Sequence, residues 1–376
     1  MDAARPFPLA PPQPVDPARI ERALARLWED AEQTPPTGVA GAVVRSCTLN
    51  LAVVLAPNDR PQEVSDTVAA LTLRHPCRIF LLTAQAEAAP ATCEASVSVL
   101  CHLAERQHIC CEQITVVAKG DAVGGLPHLL LALLVPDLPL VVWWRGQAPL
   151  ETRLFAELNA LADRSFTDSS AFANSAVALR SLAALLAHDP PLALADLAWN
   201  RLTPWRALTA QFFDSPHEQE YLERLDRVSV EVNAGVATAE AFLWLGWLAS
   251  RLGWTPASGR RDAQRCVYTL DGGQPITVEI HPRGVQAPGA LHQVTLAASG
   301  ASPARFGLTR CDERAVRATV ELPGVAALSR VVPLGVRDTA LLVSDELDLI
   351  AGRDQVYEEA LLVADRLVSL LPGAEP

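Results

Sequence analysis

The sequence lacks several motifs that common catalytic and nucleotide sites need. Lys119 is the only lysine among 31 basic residues, and no G-x-x-x-x-G-K-[ST] phosphate loop is present. The first apolar run, at 49–56, leads into APNDRPQEV, so the glycines of the dinucleotide fingerprint G-x-G-x-x-G are missing there. G-x-S-x-G and H-E-x-x-H are absent as well. We therefore expect no catalytic residues, no cofactor and no metal site.

The chain also lacks a basic cluster and a long apolar run. Its formal net charge is −12, which disfavours nucleic acid and anionic membranes as partners. A transmembrane helix needs about 20 apolar residues, and the best candidate, 126–144, is broken by three prolines. The opening segment MDAARPFPLAPPQPVDP is a proline-rich tail with no signal-peptide pattern. These features together predict a cytoplasmic protein.

Cysteines are few for the length, eight in 376 residues, and no secretion signal accompanies them. Free thiols in a reducing cytoplasm are therefore expected. Four of the cysteines lie close together, and two interpretations are open for them: buried thiols in a sheet, which we favour, or metal ligands, for which C-x2–4-C spacing is absent. The four are Cys93, Cys101, Cys110 and Cys111.

The chain is long enough for two domains, and its pattern changes near residue 214. Before that point, apolar strands alternate with helices, which predicts an α/β domain over 17–214 with a mainly parallel, doubly wound sheet. The alternating segment 95–103 favours an antiparallel strand within it. After that point, successive alternating strands and two closing helices predict an α+β domain over 215–376 with an antiparallel sheet. Residues 1–16 form the proline-rich tail.

Charged residues follow several predicted strands of the α/β domain. Asp59, Asp121, Arg145 and Asp168 lie near carboxyl ends of strands, where open α/β sheets bind ligands. The segment GDAVGG at 120–125 precedes a helix whose backbone N–H groups could hold a phosphate. The alternative is that these residues bind no ligand, since charged residues are common at strand ends and 120–125 can be a simple turn. We favour this alternative.

The stretch 195–214, ADLAWNRLTPWRALTAQFFD, has the most unusual composition. Thr203 before Pro204 predicts an N-cap followed by a first helical residue. Two tryptophans and two arginines fall within eight residues, and both residue types are enriched in protein–protein interfaces. The alternative is a core helix whose arginines pair with carboxylates across a domain boundary. The four residues are Trp199, Arg201, Trp205 and Arg206.

Two motifs carry a family resemblance. LLVPDLPLVVWWRG, ending at Gly146, and DLAWNRLTPWR, ending at Arg206, resemble the OpcA family of glucose-6-phosphate dehydrogenase assembly proteins. The resemblance runs from about Ala18 to the end and weakens after residue 260. It implies a non-enzymatic partner that binds an oligomeric glucose-6-phosphate dehydrogenase and promotes its assembly or activity in the oxidative pentose phosphate pathway. The alternative is a cytoplasmic α/β protein that binds or acts on a phosphorylated sugar or similar metabolite.

The resemblance also directs attention to particular side chains. We expect partner-binding residues in the two motifs, namely Trp199, Arg201, Trp205, Arg206, Trp144 and Arg145. Photosynthetic members of the family are linked to thioredoxin control, but the last cysteine here is Cys311, which precedes the closing helices. Any redox switch is therefore expected to involve Cys93, Cys101, Cys110 or Cys111.

Overall fold

The computed structural model describes residues 5–6, 13–33, 42–104, 107–186, 193–234, 236–262, 265–285, 290–335, 337–349 and 352–371. The chain divides into two compact units, each built from several segments. The first unit comprises residues 1–168, 192–195 and 338–353, and the second comprises residues 169–191, 196–337 and 354–376. The sequence predicts two domains, 17–214 and 215–376, that meet at one boundary near residue 214. This division stays a prediction.

One sheet contains the apolar strands of the N-terminal half. Its order is β1-β6-β7-β5-β4-β8-β9-β10, with β2 added on β6 and β3 on β7. The strands are β1 (Arg5–Pro6), β2 (Gln13–Pro14), β3 (Ala42–Arg45), β4 (Leu49–Val54), β5 (Cys77–Gln85), β6 (Thr92–Ala104), β7 (Gln107–Lys119), β8 (Leu140–Trp144), β9 (Arg164–Thr167) and β10 (Leu194–Asp196).

The pairing confirms the predicted, mainly parallel sheet. β4 pairs in parallel with β5 and with β8, and every residue of β4 is buried, as its continuous apolar run requires. β6 pairs antiparallel with β7, as its alternation favours. β1 and β2 pair antiparallel with β6, so two short parts of the proline-rich tail extend this sheet.

The first helix begins at the Asp16–Pro17 signal in the sequence. The Asp16 carboxylate accepts a hydrogen bond from the backbone of Ala18 at 3.0 Å, and Ile20 and Leu24 are buried on the inner face of α1. The helices are α1 (Pro17–Gln33), α2 (Pro61–Leu71), α3 (Leu126–Leu133), α4 (Arg153–Leu161), α5 (Ser175–Leu185), α6 (Leu197–Arg201), α7 (Thr203–Gln211), α8 (Pro216–Gln219), α9 (Ala239–Leu252), α10 (Thr339–Leu347) and α11 (Gln355–Ser369). None of these helices is long and apolar enough to cross a bilayer.

A second sheet follows the order β12-β13-β14-β11-β15-β16-β17-β18. Its neighbouring strands are antiparallel except for β11 and β14, which pair in parallel, so the predicted antiparallel character holds for most of the sheet. The strands are β11 (Leu225–Val232), β12 (Thr255–Asp262), β13 (Arg265–Asp271), β14 (Pro275–Pro282), β15 (Leu291–Ala298), β16 (Ala304–Arg310), β17 (Ala315–Glu321) and β18 (Leu328–Pro333).

Candidate functional site

The segment DLAWNRLTPWR folds into two short helices of the second unit, α6 and α7. Asp196, fully buried, begins α6 because its carboxylate accepts hydrogen bonds from the backbone N–H groups of Ala198 at 2.9 Å and Ser169 at 3.0 Å. The predicted N-cap role of Thr203 is wrong. The N-cap of α7 is Leu202, and the Thr203 hydroxyl, inside the first turn, accepts from the Arg206 guanidinium at 3.0 Å.

Trp199 and Arg206 form a stacked pair in this segment. The Trp199 side chain is buried, its indole N–H donates to the Asp354 carboxylate at 2.9 Å, and its ring lies 5.6 Å from that of Tyr357. The Arg206 guanidinium carbon lies 3.4 Å from the centroid of the indole ring. Burial lowers the pKa of Arg206 to about 10, with Asp354 opposing the shift and Arg337 adding to it.

Trp205 and Arg201 face other partners of the same unit. The Trp205 side chain is only 2% exposed, and the Arg310 guanidinium lies 5.4 Å from its ring centroid. Arg201 is half-buried, donates to the Ser170 hydroxyl at 3.1 Å and lies 3.7 Å from the Glu240 carboxylate. The arginine–carboxylate pairing that one interpretation of this stretch expected is therefore present within one unit.

These contacts surround a cavity of about 550 Å³, which we call the arginine cavity. Its charged lining brings Arg201, Arg310 and Arg337 together with Glu240 and Glu313, and hydroxyl and amide groups complete it. All lining residues belong to the second unit. The uncharged lining residues are Ser170, Ser175, Pro204, Trp205, Asn233, Thr238, Ala290, Leu334 and Gly335.

Sequence reasoning found only part of this cavity. Arg201 and Trp205 lie in the predicted motif, whereas Arg310 and Arg337 come from β16 and from the segment after β18. One signal was available: Glu240 is the single acidic residue in the buried first three turns of α9. A carboxylate in so apolar a helix indicates a specific partner or a polar cavity.

The WWRG motif lies in the first unit, where the polar groups of Trp144 and Arg145 bind neighbouring residues of the same unit. Trp144 is 1% exposed, and its indole N–H donates to Asn159 at 3.2 Å and to Ser165 at 3.1 Å. Arg145 forms a two-pronged ion pair with Asp59, at 2.6 and 2.9 Å. Burial acts to raise the pKa of Asp59, but the hydrogen bonds from Arg145 and from the backbone of Ala56, together with the charge of Arg145, outweigh burial, so the pKa is lowered.

The predicted partner-binding residues thus fall into two groups. Trp144, Trp199 and Trp205 are buried and present almost no surface, because their rings fill the interiors of the two units. Arg145, Arg201 and Arg206 are half-buried and reach solvent. Contact of these residues with a partner protein stays a prediction. In this conformation the three arginines, and not the three tryptophans, are accessible to such a partner.

The four clustered cysteines differ in state. Cys101 and Cys110 lie opposite each other on β6 and β7 and form a disulfide, so the expectation of free thiols is wrong for this pair. The error arose because the sequence does not give the register of the two strands. Cys93 and Cys111 are free thiols, and burial raises the pKa of Cys111 to about 11.

Comparison with known proteins covers most of the chain. The family model for the glucose-6-phosphate dehydrogenase subunit N-terminal domain matches residues 68–184, and the model for its C-terminal domain matches 192–361. A Synechocystis protein named as an OxPP cycle protein, OpcA, is 31% identical over 330 residues, covering 84% of this chain and 68% of that protein. Its Nostoc punctiforme counterpart is 30% identical over 331 residues, covering 83% and 69%.

A solved structure shares the fold. The 3-ketoreductase from Actinomadura kijaniata superposes with a TM-score of 0.50 at 11% identity, covering 87% of this chain and 97% of that one. At this level of identity the likeness concerns the fold alone, since one fold hosts many unrelated functions.

Proposed function

Since the chain belongs to the OpcA family, we propose that it is a non-enzymatic assembly factor and allosteric activator of an oligomeric glucose-6-phosphate dehydrogenase. In this role it supports the oxidative pentose phosphate pathway in the cytoplasm. The observation that carries the proposal is the match of two consecutive family models, over 68–184 and 192–361, both described as domains of a glucose-6-phosphate dehydrogenase subunit.

The turn after β4 supports a non-enzymatic role. A dinucleotide-binding domain needs glycines here so that its backbone can approach a pyrophosphate. In this chain the turn APNDRPQEV contains no glycine, and the Asp59 carboxylate accepts a hydrogen bond from the backbone N–H of Ala56 at 2.9 Å. Without those glycines the backbone cannot approach a pyrophosphate closely, so the turn is unsuited to NAD or NADP.

The alternative function, binding of a phosphorylated metabolite at the strand ends of the first unit, has less support. Arg145 is the basic residue among the predicted strand-end groups, and Asp59 neutralises it through two hydrogen bonds. The remaining predicted groups at these ends, Asp121 and Asp168, are acidic. Strand ends with this charge do not attract a phosphate.

Co-purification with activity measurement tests the proposal. We expect the tagged chain to retain glucose-6-phosphate dehydrogenase, to shift its oligomer distribution in light scattering and to raise its specific activity. The chain alone should reduce no NADP with glucose 6-phosphate. A chain that neither binds the dehydrogenase nor changes its activity or oligomeric state would overturn the proposal, as would dehydrogenase activity of the chain itself.

A further inference from the structure

We propose that two copies of this chain associate through β18, the last strand of the second sheet, which pairs antiparallel with its counterpart around a two-fold axis. In this pairing Val331 of one copy lies opposite Val331 of the other. The inference concerns self-association of the chain alone, so it does not rest on a partnership with a dehydrogenase.

The outer edge of β18 pairs with no strand in the described part of the chain. The strand comes last in the order of its sheet, and its inner edge pairs antiparallel with β17 along residues 328–333. All of its residues are exposed except Val332, which is half-buried. The peptide groups that point away from β17 can therefore bond a further strand.

This edge exposes apolar side chains on both faces of the sheet. Leu328 is 63% exposed and Val331 is 58% exposed. Because side chains alternate along a strand, these two residues lie on opposite faces. Val325, in the turn that leads into the strand, is also 58% exposed. An edge strand with this composition pairs with another chain unless something covers it.

The charges that usually protect a free edge are few on β18. Arg330 is the only charged residue of the strand, and its guanidinium donates to the Gln211 side-chain oxygen at 2.9 Å, which holds it toward α7. The other end strand of the same sheet, β12, carries Arg260, Arg261 and Asp262, all exposed. Charged side chains of this kind oppose pairing between edges, so β18 is the edge suited to accept a strand.

A second copy fits this edge because β18 is complementary to itself. In antiparallel pairing about a two-fold axis at Val331, the two Val331 side chains lie opposite each other and Arg330 lies opposite Val332. Like charges are therefore not directly opposed, which would destabilise the pair. Pro333 has no N–H, but it is the last residue of the strand, so it removes at most one hydrogen bond from each copy.

Symmetry also favours this pairing over others between copies. If β18 paired with β12 of another copy, each assembly would keep a free edge at both ends and would grow into an open chain of molecules. Pairing of β18 with β18 uses the same surface on both copies and is closed. A strand of six residues and its turn form a small interface, so we expect weak association in the micromolar range.

Analytical ultracentrifugation of the full chain over a series of concentrations tests the proposal. We expect an equilibrium between monomer and dimer. Val331→Lys places two ammonium groups opposite each other and should weaken the dimer by about tenfold or more. Ser258→Lys, at an exposed position of β12, is the matched control and should dimerise as the wild type does. A wild type that stays monomeric at hundreds of micromolar overturns the proposal.

An exchange of charges tests the register of the two strands. Val331→Glu should weaken the dimer as Val331→Lys does, and an equimolar mixture of the two variants should restore it, because an ammonium group then lies opposite a carboxylate. Melting curves establish that each variant is folded. Unchanged dimerisation of Val331→Lys contradicts the proposal, and so does a mixture that stays monomeric. If the wild type is monomeric and Val331→Lys loses binding to glucose-6-phosphate dehydrogenase, the edge belongs to that enzyme and the proposal is overturned.

Discussion

The guanidinium carbon of Arg206 lies 3.4 Å from the centroid of the Trp199 indole ring, and the same ring donates its N–H to Asp354. The two residues come from α6 and α7, so their stacking fixes one short helix against the other. A helix of five residues has little stability of its own, and side-chain contacts of this kind hold it in place.

Removal of the Arg206 side chain should destabilise the second unit. A desolvated cation–π contact contributes about 2 kcal/mol, which corresponds to a fall of roughly 5 °C in Tm for a domain of this size. Arg206→Lys should recover only part of the loss, since an ammonium group does not stack as a planar guanidinium does. Calorimetric melting of both variants, with the exposed Arg305→Ala as control, measures the effect. A wild-type Tm for Arg206→Ala would show that the stacking contributes nothing.

Arg201 allows a structural role to be separated from a partner-binding role. Arg201→Ala removes the partner that lies 3.7 Å from the buried Glu240 carboxylate, so its Tm should fall by several degrees. Adding Glu240→Gln removes the buried carboxylate charge that Arg201 faces and should restore most of the Tm. If Arg201 also contacts the dehydrogenase, the restored double variant will still activate it poorly, with a half-maximal concentration at least tenfold higher. Full activation by the double variant would assign Arg201 a structural role only.

His75 should make the first unit sensitive to acid. Its side chain is buried and contacts the Ser344 hydroxyl at 2.9 Å. Burial lowers the pKa of His75 below 6.5, with Asp348 opposing the shift. A lowered folded pKa means that the unfolded chain binds the proton more strongly, so this contribution to stability is present above pH 6.5 and is lost as the pH falls through the folded pKa. His75→Gln should therefore show a smaller fall in Tm between pH 7 and about pH 5 than the wild type.

An exposed histidine provides the comparison for this pH effect. His128 lies on the outer side of α3, and His128→Gln should keep the wild-type dependence of Tm on pH. Parallel curves for the wild type and His75→Gln would show that protonation of His75 is not linked to unfolding.

Gly246 permits the close approach of α9 and α11. A Cβ atom at this position would overlap the backbone carbonyl oxygen of Ala360, and backbone cannot move aside as a flexible side chain can. Gly246→Ala should therefore destabilise the second unit by about 1–3 kcal/mol, although alanine favours helices over glycine. Gly124→Ala, where a Cβ meets open space, is the control. Chemical denaturation of both variants gives the comparison, and an equally stable Gly246→Ala would mean that the two helices separate easily.

Local patterns predicted the elements whose signals are contiguous in sequence. Asp16–Pro17 and the helical spacing of Ile20 and Leu24 indicate α1 in the sequence itself, and the continuous apolar run at 49–56 indicates β4. The sequence of β12, TPASGRRD, carries no strand signal because it contains proline, glycine and serine, and most of its residues are exposed. Its strand conformation comes from pairing with β13, which a local pattern does not contain.

Contacts between residues that lie far apart in the chain could not be predicted from local sequence patterns. The parallel pairing of β11 with β14 skips two intervening strands, and the arginine cavity joins α6, α9 and β16. The Thr203–Pro204 pattern indicated the right helix but the wrong cap, since the chain turns directly from α6 into α7. These features depend on tertiary packing, which overrides local preference.

The Cys101–Cys110 disulfide is the feature through which redox state would act. The pair packs with Trp28 and Val99 in a buried cluster where α1 meets the sheet. Disulfides of cytoplasmic proteins are commonly transient, and a link closing a loop of this length contributes about 2–3 kcal/mol in the chain-entropy account. Dithiothreitol should therefore lower the Tm of the wild type by several degrees.

Serine variants distinguish this pair from the neighbouring thiols. Cys101→Ser should melt as the reduced wild type does and should lose its response to dithiothreitol, because Cys110 then has no partner. Cys93→Ser is the matched control, since Cys93 is a free thiol on the same strand, and its response should persist. If the pair regulates activation of the dehydrogenase, the activating concentration will change with dithiothreitol in the control and stay constant in Cys101→Ser. If dithiothreitol changes neither the Tm of the wild type nor its activating concentration, these cysteines form no switch.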